Sequence, residues 1–487
     1  MERDSINSCN CSRRGFLIAA AGAGALGPSL LAGAIRAAEP GEARQIAPAG
    51  PASKYAPTIK VAFVRRKGDY GIRWPGAIYD GEAAAKNYRQ QIDAASKALG
   101  LKTIARPEPI YSPAEADQWL AEAKAEKPDG LLIVLLDRQE HAWPTATQAI
   151  ATRIPTVVFA PVGAAFTTNT APLAKKTGAF IASTDDFGQA IYGMKMIRAG
   201  AKLREMRFVV IAGGARKDVE INHLGTKLRY IPAKSFLDEY NQTPDNDEVK
   251  QIASEYIKNA TKIVGASEQD VVNGVRSYVV ARNIMEREEG DGITMDCLVA
   301  LGKTKVSLPC IAWSRMLDHG IPAACEADLG AAVTHALVQL LFDRPGFQQD
   351  PVADTSSDAL IGAHCTCPTR LNGFLQPPEP YYLSHHHGSR DAVPRPAWKV
   401  GQRMTVAIIG GLNNAKLPPH MYISSGTVLD NIAVPPSGGC VVSVSVKLDG
   451  VNDLLDYPGF HQLFFYGDYK KQLREYCQLF GLEARVI

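Results

Sequence analysis

Beyond its N-terminus the sequence has no apolar run approaching the ~20 residues that a membrane-spanning helix needs, so no stable membrane span is expected. Nor has it an excess of charge of one sign. Its 53 Lys and Arg against 50 Asp and Glu leave +3, too little for a nucleic-acid footprint or a general attraction to anionic surfaces. A disulfide framework is missing as well. Of nine cysteines, Cys9 and Cys11 lie in the N-terminal leader. The other seven (Cys297, Cys310, Cys325, Cys365, Cys367, Cys440 and Cys477) are odd in number and mostly sit in apolar sequence. Cys365-Thr366-Cys367 lacks the paired C-x-x-C spacing of a zinc or redox site, and these thiols read as small core hydrophobes.

What is present is enough for a large core. The 487 residues are 46% apolar and 21% charged, which is ordinary for a globular protein and long enough for about three domains. Residues 12–18, SRRGFLI, precede a Gly/Ala-rich apolar stretch. Paired arginines in that setting read as a twin-arginine export signal over residues 1–38, with cleavage near Ala32-Gly33-Ala34 or at Ala37 or Ala38. The expected address is the periplasm, reached folded through the twin-arginine translocase. Gly22, Gly24 and Gly27 formally spell G-x-G-x-x-G, but without a surrounding strand-turn-helix unit the match does not indicate a dinucleotide site. Residues 39–57, rich in Ala and Pro, read as a linker or an arm over the first domain.

Two successive Rossmann-like α/β domains are expected at 58–204 and 205–350. In the first, short apolar runs at 59–64, 101–105, 130–136, 155–160 and 179–183 alternate with helical segments near 84–99, 113–126, 143–152 and 186–201, the pattern of a parallel sheet. Functional loops of such sheets lie beyond the carboxyl ends of the strands. Residues 65–74 are therefore a candidate substrate-binding loop, with Arg65, Asp69 and Trp74 its chief members beside Arg66, Lys67 and Arg73. The second domain reads as a strand at 208–213, helices at 232–242, 248–264 and 267–288, and short apolar pieces at 298–300, 309–313 and 323–326. Glu326 falls at the carboxyl end of the last piece. His335, in the helix that follows, reads as a surface or packed residue; Glu220 and His223 are weaker candidates for lining the cleft.

From 351 to 487 a β-rich, barrel-like domain is expected, with alternating strands at 404–409, 421–428 and 442–448, and an edge facing the second α/β unit. A final helix over 468–480 would have Asp468 as its N-cap and Gly481 as its stop.

Glu326, Asp350, His364 and His461 supply oxygen and nitrogen donors. Two carboxylates with one or two imidazoles suit Mn2+, or another divalent ion such as Mg2+ or Co2+, better than a thiolate-seeking ion. A purely structural alternative puts the carboxylates in salt bridges and His461 in the core.

The order of these residues, with the stretches ACEAD (324–328), RPGFQQDP (344–351), GAHCTCP (362–368), SHHHGSRDAV and VGQRMTVAII (384–393 and 400–409) and FHQLFFYGDYKKQLREYCQLFGLE (460–483), resembles the L-fucose/L-arabinose isomerase superfamily. The resemblance implies a metal-dependent aldose–ketose isomerase acting on a small carbohydrate through an enediol. It implies Glu326, Asp350 and His461 as metal ligands, with His364 matching an arabinose-type ligand, and Glu326 and Asp350 as the pair that moves the proton. His385 falls where the family has a histidine in a loop near the substrate, with His386 and His387 as exposed loop residues. A homo-oligomer whose sites are completed by a neighbouring subunit is also implied. Export favours two alternatives: an epimerase or lyase using the same metal site, and a periplasmic sugar-binding protein without chemistry.

Overall fold

The computed structural model describes residues 44, 46–68, 80–138, 141–387, 390–412, 417–433, 442–451 and 453–487. The leader reading and the candidates Asp69 and Trp74 lie outside them.

The first domain is a five-stranded parallel sheet. Its strands are β1 (Thr58–Val64), β2 (Lys102–Ala105), β3 (Gly130–Leu135), β4 (Thr156–Ala160) and β5 (Ala179–Ser183), in the order β2-β1-β3-β4-β5. β3 and β4 are buried along their whole length, as strands covered by helices on both faces must be. The helices begin and end where their chemistry dictates. Asp80 accepts hydrogen bonds from the amides of Glu82 and Ala83 to start Gly81–Leu99, and Gly100, at φ 61°, ends it. Ser112 caps Pro113–Glu126 with proline in its first turn, where a missing N–H costs nothing. Helix Gly188–Glu205 returns across this sheet. At Gly193 a Cβ would fall 2.7 Å from Val157, so only glycine lets helix and strand approach this closely.

The second sheet has β6 (Arg207–Ile211), β7 (Lys217–Ile221), β8 (Thr226–Ile231), β10 (Gly292–Met295) and β11 (Ala323–Cys325), in the order β11-β10-β6-β8-β7; β7 alone is antiparallel. The two-residue strand β9 (Ile263–Val264) belongs to another sheet. Two expected strand pieces are helices instead, Cys297–Leu301 and Cys310–Asp318. Short apolar runs have no period of their own; the helix Cys310–Asp318 is buried, whereas Leu298 and Val299 of the other turn are exposed.

The third domain begins at Phe347, a few residues before the expected boundary. Its strands β12 (Phe347–Asp354), β13 (Ala359–His364), β16 (Arg403–Gly410), β17 (His420–Asn431), β18 (Val442–Leu448) and β19 (Gln462–Tyr466) run β16-β19-β12-β13-β18-β17, and β16 pairs with β17 to close a six-stranded antiparallel barrel. The free edge expected from sequence is therefore consumed by closure. Phe347, Phe464 and Tyr466 fill it with Trp398. Outside the barrel, β14 (Tyr381–His387) and β15 (Arg390–Pro396) form a hairpin that adds to β9. The last strand, β20 (Glu483–Val486), runs parallel to β17.

The final helix starts at Lys470 rather than at Asp468. The carboxylate of Asp468 is occupied by Arg403 and by the Ser425 hydroxyl. The arm also differs from expectation. Residues 44 and 46–53 lie against the second domain, where the Ala52 and Ser53 amides donate to the buried Asp291 and Ile46 N donates to the Tyr278 hydroxyl. Asp291 also accepts from Arg207 N, so one carboxylate fixes both the arm and the start of β6.

Candidate metal centre

The site lies where the carboxyl end of the second sheet meets the barrel. Glu326 follows β11 directly, and it and Ala327 hold left-handed φ values of 60° and 53°. Such a backbone costs a residue with a Cβ about 1–2 kcal/mol each and turns the chain sharply from strand to helix. Asp328 then caps helix Leu329–Phe342, accepting from Ala331 N at 2.8 Å.

β12 is clamped to the same strand end. The Gln348 side chain accepts from Cys325 N at 2.9 Å and donates to its carbonyl at 3.4 Å, all of it buried. This brings Asp350, two residues on, to Glu326. Neighbouring barrel strands supply the histidines: Asp350 pairs with Ala363 beside His364, and Gln349 pairs with Gln462 beside His461.

His461 Nε2 is 3.1 Å from Asp350 Oδ1 and 3.7 Å from Glu326 Oε2; His364 Nε2 is 3.9 Å from Glu326 Oε1. Donor atoms of Glu326, His364 and His461 all lie within 4.8 Å of one another. The two imidazoles are buried, while about a third of the Glu326 side chain is exposed. His461 Nδ1 lies 2.9 Å from Asp328 Oδ2. An N–H there donating to a carboxylate, the usual second partner of a metal-binding histidine, orients the ring so that Nε2 would be the ligating atom once an ion displaced its proton.

Burial pushes the Glu326 carboxyl up. The charges of Asp350, Asp296 and Asp328 add to this against the opposing effect of His461. Burial alone would lower His461, but the carboxylates of Asp328 and Asp350 outweigh it and raise the ring to about 9. Burial also raises Asp328, yet the His461 hydrogen bond and the helix amides hold it below the usual range. The charge pattern is that of a cation site. Asp350 Oδ1 and His461 Nε2 are both buried and face each other at 3.1 Å, neither with a well-aligned hydrogen bond. Two oxygen and two nitrogen donors fit a divalent ion of intermediate hardness.

The sequence-derived residues divide accordingly. Glu326, Asp350, His364 and His461 come together. His385 does not join them; it lies 3.7 Å from Asp270, at the first turn of helix Glu268–Arg287. His386, expected on an exposed loop, is buried in β14, because hairpin pairing continues through the His run. Arg65 is buried, its guanidinium committed to Glu82 and to the Gly68 carbonyl, so it is held as a structural cation rather than offered to a ligand. Glu220 lies exposed on β7, at the far edge of the second sheet. Asp328, Asp296 and Gln348 were not singled out from sequence. Asp328 was signalled by its place two residues after Glu326, just ahead of an apolar helix. Gln348 gives no such signal, since its role exists only once β11 and β12 meet.

A separate cleft of about 380 Å³ lies over the carboxyl ends of the first sheet, lined by Asp80, Asn87, Tyr88, Pro161, Val162 and Asp185 among others. It is where such a sheet places a ligand.

No protein-family model matches the chain, and no curated protein matches it. Among solved structures, a sugar ABC transporter sugar-binding protein from Bacillus halodurans matches at 17% identity over 61% of this chain and 91% of that one, with a TM-score of 0.18. A likeness at that level bears on neither the fold nor the function of this chain.

Proposed function

We propose that the protein is a metal-dependent sugar-converting enzyme of the fucose/arabinose isomerase type, interconverting an aldose and a ketose. The observation that supports this reading is the convergence of the Glu326 and Asp350 carboxylates on the buried His461 Nε2, with His364 beside them. A divalent ion such as Mn2+, held by these residues with His364, supplies a Lewis acid that polarises a carbonyl and orients adjacent oxygens.

The remaining work belongs to the chain itself. Asp328 orients the His461 ring. Gln348 holds the Asp350 strand against the Glu326 turn. Glu326, partly exposed and raised in pKa, faces the side from which a substrate arrives and is placed to exchange a proton with a carbon beside the carbonyl; Asp350 is the partner acid. Two carboxylates in unlike surroundings are what a proton transfer between neighbouring carbons requires. The substrate is a small carbohydrate, the working form a homo-oligomer, and the site of action the periplasm after twin-arginine export.

The test combines metal analysis of folded protein with deuterium uptake from solvent into a panel of aldoses and ketoses. Glu326→Gln and Asp350→Asn should each lose the ion and lower the exchange rate by roughly 10²–10⁴-fold, the usual worth of a positioned acid or base. Full metal retention in both variants would sink the reading. Exchange at C2 that inverts the centre without forming a ketose would replace isomerisation by epimerisation at the same site.

A further inference from the structure

Immediately behind the oxygen and nitrogen site lies a second cluster made of softer donors. Cys310 stands at the start of helix Cys310–Asp318, Cys365 follows β13, and His386 lies within β14. Their donor atoms are all within 4.8 Å of one another, and the three residues are 2%, 5% and 1% exposed. A fourth residue, Cys325 at the end of β11, groups with Cys365 and His364 from the other side, and the Cys365 thiol interacts with those of both Cys310 and Cys325.

Single buried cysteines are ordinary core residues. Two thiols and an imidazole drawn from three separated elements to within one ion's reach are a different arrangement. The donor set is one that zinc takes, soft where its neighbour is oxygen-rich. The chain separates the two at a single peptide bond. His364 Nε2 faces Glu326, while its Nδ1 lies 3.4 Å from the Cys365 sulfur.

We propose that Cys310, Cys365 and His386 form a zinc site of two thiolates and an imidazole, independent of the carboxylate–histidine centre. Each ligating thiol gives up its proton to solvent as the ion binds. The ion joins helix Cys310–Asp318, the chain leaving the barrel after β13 and the outer hairpin.

Cobalt distinguishes the two centres, because a thiolate ligand gives an intense near-ultraviolet charge-transfer band that carboxylates and imidazoles do not. Protein produced in zinc-depleted, cobalt-supplemented medium should show that band at about one equivalent. The band should persist in Glu326→Gln and disappear in Cys365→Ala and in the milder Cys310→Ser. Loss of metal from Glu326→Gln without loss of the band would confirm that the sites are separate. Three outcomes overturn the proposal: folded wild-type protein containing cobalt or zinc but lacking the band, a band unchanged in Cys310→Ser, or thiol counting that finds Cys310 and Cys365 joined in a disulfide with no metal. Should Cys365→Ala not fold, the wild-type spectrum and Cys310→Ser still decide the matter.

Discussion

Asp328 is the residue on which the orientation of His461 depends. Its two carboxylate oxygens are divided between Ala331 N and His461 Nδ1. Asparagine caps a helix about as well as aspartate, so Asp328→Asn should keep the helix start and lose only the charged hydrogen bond to His461, about 1.5–3 kcal/mol. Removing the charge behind the ring should also weaken metal binding about 10–100-fold, measured by competition with a chelator. Its neighbour should shift stability the other way. Ala327 holds φ 53° and donates its amide to Met295 O, a bond that glycine keeps. Ala327→Gly should therefore stabilise the protein by up to about 1 kcal/mol, the relief of a left-handed Cβ exceeding the entropy glycine adds to the unfolded chain. Chemical denaturation reads this directly; a loss of stability would show that the turn is not strained.

At the scale of elements, the joint between helix Cys310–Asp318 and the chain leaving the barrel depends on Asp318, which accepts from the amides of Thr369 and Arg370 and from the Thr369 hydroxyl. Burial raises this carboxyl to about 6 despite those bonds. The folded state thus holds a proton that the unfolded state, with a carboxyl near 3.8, has released. Stability from this group is full below pH 4 and declines as pH rises to about 6, by on the order of 3 kcal/mol. Asp318→Asn keeps an oxygen that can accept from both backbone amides and has no proton to lose. Its stability relative to wild type should improve between pH 4 and pH 7, and a constant difference across that range would refute the assignment.

The elements also show what a sequence can and cannot display. Long buried strands such as β3 and β4, and the helices Gly81–Leu99 and Pro113–Glu126, were legible because apolar runs and helical spacing are local. The pieces at 297–301 and 310–318 were not, because five or so apolar residues fit either a strand or a helix turn until a sheet lies beneath them. The β14–β15 hairpin went unread because its His and Pro content resembles a loop, and its partner is two residues of β9 more than a hundred positions earlier. The four donors were legible by residue type. Their separation from Cys310, Cys365 and His386 was not, since it depends on which side of one peptide bond each ring and sulfur faces.

At the scale of the whole molecule, the proposed ion bridges two bodies. Glu326 belongs to the second α/β domain, and Asp350, His364 and His461 to the barrel. Removing it leaves repelling carboxylates across that boundary, so chelation should lower the melting temperature. The loss would be about 4 kcal/mol if the ion is normally present at 1,000 times its dissociation constant. Excess Mn2+ should restore it, whereas a melting temperature unaffected by chelation would argue that the boundary is held by apolar packing alone.

Closure of the barrel has a further consequence, for the order in which the protein is made. β19, the strand after His461, is inserted between β12 and β16, both synthesised earlier. Until β19 has been made, the ring has a gap and Asp350 waits without His461. A product terminated before β19 would therefore possess both α/β domains yet be unable to assemble the proposed centre, which makes that centre a late event in synthesis.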